Sequence, residues 1–125
     1  MAEYKGKLFK GLFTRAKNVL LSDGRTAENA CTWTEINTAN WATEYLKYKE
    51  IMIVLKSSSL NTVMTTIVVA DDIPATNITL LFGGWYIAAN DNGGAYLVIN
   101  KTTIGSYAVF KNGTQQTVTL TLYGK

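Results

Sequence analysis

A chain of 125 residues, 47% hydrophobic and 17% charged, is one globular domain's worth of sequence, enough to bury a core without metals or disulfides. It holds no histidine and a single cysteine, Cys31, which excludes Ser-His and Cys-His nucleophiles, histidine metal ligands and an internal disulfide. The net charge of +3 lies at one end: residues 1–25 carry six cations against two acids, and residues 26–125 carry six against seven. The chain therefore divides into a basic arm, 1–25, and a nearly neutral head, 26–125. No apolar run approaches the roughly 20 residues of a membrane-spanning helix, and no signal peptide is expected.

The arm has two readings. Leu8, Phe9, Leu12, Phe13, Ala16, Val19 and Leu20 recur at helical spacing, while Gly6 and Gly11 weaken a helix by about 1 kcal/mol each. Lys17–Leu21 before Ser22-Asp23-Gly24 reads equally as a strand entering a turn. Its cations could meet phosphates, a membrane surface or an acidic partner, although neither nucleic acid nor membrane insertion is expected. Ala30–Thr34 is a candidate first strand, with Cys31 a small buried residue. Asn40 is placed to cap a helical turn over Trp41–Lys47, where Trp41 and Tyr45 share a face at i, i+4 and plug one end of the head.

From Glu50 the pattern is all β. Ile51–Lys56 is a nearly continuous apolar run, as in a strand buried on both faces. Val63, Thr65, Ile67 and Val69 alternate along a second strand, and Asp71–Thr76, with the only proline, ends it. Ile78–Phe82 and Trp85–Ala89 flank Gly83-Gly84, which predicts a bulge or tight bend. Asn90-Asp91-Asn92-Gly93-Gly94 predicts a hairpin turn before Ala95–Lys101. Tyr107–Lys111 follows a turn at Gly105, Asn112-Gly113 signals a further hairpin, and Thr117, Thr119 and Thr121 alternate with Val118, Leu120 and Leu122. Seven or eight short strands predict an antiparallel β-sandwich. A jelly roll fits the count first and an immunoglobulin-like sandwich second.

No catalytic constellation emerges, and no metal site or cofactor is expected. The carboxylates Glu35, Glu44, Glu50, Asp71, Asp72 and Asp91 are scattered, and the glycine pairs lack the lysine-serine and helix of a phosphate loop. Asn77, Asn100 and Asn112 open glycosylation-type tripeptides, which carry meaning only on a secretory route. Sugars bind where an aromatic face meets amide and carboxylate groups, so Trp85, Asn90, Asp91, Asn92 and Tyr96 form a candidate glycan site. The same rings could equally fill the core or a subunit interface.

The stretch Phe13–Ala30, FTRAKNVLLSDGRTAENA, resembles a segment of tail, baseplate and fibre proteins from phages and prophages of Gram-positive hosts. The order that follows, with an aromatic-leucine turn over Trp41–Leu46 and then short strands, is similar to the terminal heads of phage fibres. The resemblance implies a trimeric jelly-roll head on a virion, binding host surface glycans through positions it does not define. The chain departs from that pattern in having Ala27 where valine is usual, and in lacking a long shaft between the segment and the head. The expectation is thus a non-enzymatic virion protein of fibre, tail-tip or decoration type, or alternatively a free carbohydrate-binding module.

Overall fold

The computed structural model describes residues 31–125 together with Leu20 and Ser22. The helix-or-strand question over residues 1–25, and nearly all of the Phe13–Ala30 segment, lie outside the described residues. Among the described residues, eight strands make two four-stranded antiparallel sheets. The first has the order β1 (Thr34–Glu35), β8 (Thr119–Gly124), β2 (Glu50–Ser57), β3 (Thr62–Val69). The second has the order β4 (Ile78–Ala88), β5 (Asp91–Ile99), β6 (Ile104–Lys111), β7 (Thr114–Gln115). This is the expected all-β sandwich. Its connectivity is a hairpin, β2–β3, and a four-strand meander, β4–β7, closed when β8 returns between β1 and β2. The repeated crossing between sheets that characterises a jelly roll is absent among the described strands.

Alternation decides what each strand buries. Ile51 and Ile53 of β2 and Leu122 of β8 pack with Leu97 and Ile99 of β5, while Leu55 of β2 packs with Ala95 and Val109; Ile51, Ile53, Leu55, Leu97, Ile99 and Leu122 are 0% accessible. Each such side chain contributes about 1.5–3 kcal/mol through burial. The opposite face of β2 carries exposed Glu50 and Lys56, half-buried Met52 and buried Val54, so only its inner face is a continuous core. On β3 the predicted set Val63, Thr65, Ile67 and Val69 does share a face, and that face is exposed. On β8, Leu120 and Leu122 turn inward while Thr119 and Thr121 turn outward, as their alternation requires.

The helical turn closes one end. Asn37, rather than Asn40, supplies the cap: its Oδ1 accepts from the Ala39 amide at 3.1 Å. A 3₁₀ turn, Thr38–Asn40, leads into α1 (Trp41–Glu44) and a second 3₁₀ turn, Tyr45–Lys47. Asn40 makes no side-chain cap bond, because capping has already occurred one turn earlier. Trp41 and Tyr45 are both buried and stack with centroids 5.0 Å apart. Lys47 donates to Glu44 at 2.9 Å, which raises the lysine pKa above its ordinary value.

Three boundaries move. The first strand begins at Thr34, so Cys31 precedes the sheet and is exposed instead of buried. Gly105 lies within β6, and the turn before it is Asn100–Thr103, where Asn100 Oδ1 accepts from the amides of Thr102 (2.8 Å) and Thr103 (2.7 Å). The β4–β5 reversal uses only Ala89 and Asn90, since Ala88 pairs with Asp91. Asp91–Gly94 therefore belongs to β5. The Asn112-Gly113 turn forms as predicted, with φ of +51° and +77°, the backbone that a two-residue primed hairpin turn demands.

Candidate functional site

Two places combine exposed surface with polar groups. The first is the end of the second sheet, where the β4–β5 and β6–β7 hairpins meet. Asn112 joins them: its Nδ2 donates to the Asn90 carbonyl at 2.7 Å, and its Oδ1 accepts from the Asn92 amide at 3.0 Å. The Asn112 amide donates in turn to the Asn92 carbonyl at 2.9 Å. Asn92 Nδ2 reaches the Ala89 carbonyl at 3.0 Å, and Trp85 Nε1 donates to Asp91 Oδ1 at 3.1 Å.

Four of the five predicted glycan residues, Trp85, Asn90, Asp91 and Asn92, are thus gathered at this end. Tyr96 is not. Gly93 pairs with Trp85 and stands three residues before Tyr96, and an odd separation along a strand puts side chains on opposite faces. Tyr96 instead stacks on Phe110 across the outer face, with centroids 6.3 Å apart. Much of the polar capacity of Asn90–Asn92 is spent within the protein, which makes the tip rigid. What the tip offers outward is apolar: Tyr86 and Ile87, 75% and 76% exposed. Sequence reasoning missed this pair, although Trp85-Tyr86-Ile87 immediately before the turn was the available signal. Asn112→Ala is expected to destabilise the protein by about 1–3 kcal/mol, because it removes both side-chain bonds and leaves a non-glycine residue at positive φ. Asn112→Gly, which relieves the backbone term, should cost less in the same urea titration.

The second place is a cleft of about 670 Å³ between the Thr38–Thr43 turn and the Thr102–Gly105 segment. Its polar lining is neutral: Thr38, Asn40, Thr43, Thr102, Thr103 and Tyr107. A smaller cleft of about 420 Å³ shares Thr38 and Leu120 with it and adds Glu35. Among the described lining residues there is a single carboxylate in the smaller cleft and none in the larger, which gives no acid–base pair there, so these surfaces suit neutral hydrogen-bonding ligands. Residues some 60 positions apart form the larger cleft, a juxtaposition that no local sequence pattern encodes. Among the described residues no three His, Cys, Asp or Glu side chains gather as metal ligands, and no helix is long and apolar enough to cross a membrane. No protein-family model, curated protein or solved structure matches the chain.

Proposed function

We propose that the chain is a non-enzymatic structural protein of a phage particle, of fibre, tail-tip or decoration type. Identical copies assemble, the basic arm docks to the particle or a neighbour, and the head meets host surface glycans or the particle itself. The observation that carries the reading is the exposed apolar stripe on β3, where Val63, Ile67 and Val69 are 59%, 53% and 50% accessible. A protein that works alone seldom leaves such a contiguous stripe to water. The likeness of Phe13–Ala30 to phage tail proteins supplies the particle context, and the neutral clefts favour binding over catalysis.

Light scattering on the full chain at micromolar concentration is expected to give a multiple of the single-chain mass, and a stable monomer would count heavily against the assembly. Peptides of the chain should also appear in mass spectra of purified particles from a producing host. A free carbohydrate-binding module is favoured by one feature, the exposed Tyr86 paired across the hairpin with Asn92. That reading predicts glycan-array signal from a monomer and its loss in Tyr86→Ala, whereas a purely structural role predicts oligomers without glycan signal.

A further inference from the structure

The outer face of the first sheet is patterned in two directions at once. Along β2 it runs Glu50, Met52, Val54, Lys56, an acid at one end and a base at the other with apolar residues between. Across the sheet the register sets Tyr123, Met52 and Ile67 in one row and Thr121, Val54 and Thr65 in the next. The first row is bulky and the second is small. Beyond the small row lie Thr119, Lys56 and Val63; beyond the bulky row lie Lys125, Glu50 and Val69, and Glu35 extends the bulky row past Tyr123.

A two-fold axis lying in the plane of contact, perpendicular to β2 and passing between the two central rows, maps each feature onto its complement. The bulky row of one copy falls on the small row of the other, at the ~10 Å spacing of packed sheets. Lys56 falls on Glu50 of the second copy, and Glu50 on its Lys56, so the charge match occurs twice. A two-fold axis parallel to β2 would instead stack Glu50 on Glu50 and Lys56 on Lys56. The Glu50 and Lys56 charges, which lie on β2 at the middle of the face while Lys125 and Glu35 lie toward its β1 side, therefore select one orientation from the two that a face-to-face pair allows. We infer that this face is an isologous interface between two copies of the chain, closed by reciprocal Glu50–Lys56 pairs around a centre of half-buried Met52 and exposed Ile67.

The inference rests on the self-assembly part of the proposed function and specifies its symmetry. A three-fold arrangement, which the phage resemblance implies, is heterologous and cannot place one face on itself. Covering this face also buries the outward row of β3, an edge strand of eight residues with β-branched side chains throughout that row.

Sedimentation velocity of the full chain across the micromolar range tests the inference. The wild type is expected to pass from one-chain to two-chain mass as concentration rises. Lys56→Glu and Glu50→Lys, made separately, each set two like-charge pairs in the contact and should weaken association by roughly tenfold. The double variant E50K/K56E restores the complement in reverse and should recover wild-type association. Both sites are exposed at the sheet surface, and unchanged circular dichroism separates loss of association from loss of fold. A one-chain mass at every concentration would overturn both this inference and the self-assembly reading, including the case in which the chain's own arm covers the face. A three-chain mass, single reversals without effect, or a double variant that fails to recover would overturn the interface and leave self-assembly standing.

Discussion

Trp41→Ala is expected to lower the free energy of unfolding by about 3–5 kcal/mol, the range for deleting a large buried aromatic side chain. Trp41 is 2% accessible, stacks on Tyr45 and donates its indole N–H to the Asn100 carbonyl at 2.8 Å. That last bond ties the helical turn, which follows β1 of the first sheet, to the β5–β6 loop of the second. Asn100 is itself a node. Its side chain holds the amides of Thr102 and Thr103 and donates to Asn77 Oδ1 at 2.7 Å, while the Lys101 amide donates to the Pro74 carbonyl at 2.9 Å. Removing the indole thus opens a cavity and leaves a carbonyl at the centre of this node without its partner. Trp41→Phe separates the two effects: it keeps a ring against Tyr45 but not the donor, and should cost about 1–3 kcal/mol for the orphaned acceptor plus the lost volume. Urea unfolding of the two variants reads the difference. A Trp41→Phe cost equal to that of Trp41→Ala would assign nearly all the effect to the hydrogen bond.

The same residue illustrates what could be read without coordinates. Trp41 and Tyr45 were legible as a pair because i, i+4 spacing on a helical turn forces contact. The strands were legible because alternation has a period of two and burial follows it on β3 and β8. Which face of β3 would be dry was not legible, since Val63, Ile67 and Val69 look like core and stand in water. That choice depends on what lies across the sheet, which local pattern does not contain. The cap at Asn37 and the turn at Ala89-Asn90 were missed for another reason. Both regions hold several residues able to turn or cap: at Asn37 a bond from the Ala39 amide two residues on decides, and at Asn90 the partner is Asn112, 22 residues away. The grouping of Tyr96 with Trp85 failed on parity alone, because the turn was placed too late and β5 begins four residues earlier than Ala95. The neutral cleft at the Trp41 end was not accessible to sequence reasoning at all, being made by the docking of the turn onto the β5–β6 loop.

Gly93 and Gly94 are adjacent in sequence, and their alanine variants are expected to behave in opposite ways. A Cβ on Gly93 would collide with both the Trp85 ring and the Phe110 carbonyl oxygen. The ring could swing aside, but only by giving up its hydrogen bond to Asp91. The carbonyl belongs to β6, so it can retreat only if β5 and β6 separate at the pairing of Gly94 with Phe110. Gly93→Ala should therefore cost about 2–3 kcal/mol, the upper part of the overpacking range, with the strain centred on the two-hairpin end that presents Tyr86 and Ile87. A Cβ on Gly94, on the other face of the strand, would meet nothing closer than 3.5 Å. Gly94→Ala should be neutral or stabilise by up to about 1 kcal/mol, since alanine restricts the unfolded chain where the native backbone permits it. Thermal unfolding of both variants, with Trp85→Ala in a double-mutant cycle against Gly93→Ala, divides the penalty. Relief of part of the Gly93→Ala cost by Trp85→Ala is the expected result, because the ring is one of two obstacles and the Phe110 carbonyl remains. Full relief would show that β6 can yield, and an unaffected Gly93→Ala variant would mean that Trp85 does not lie over Gly93 at all.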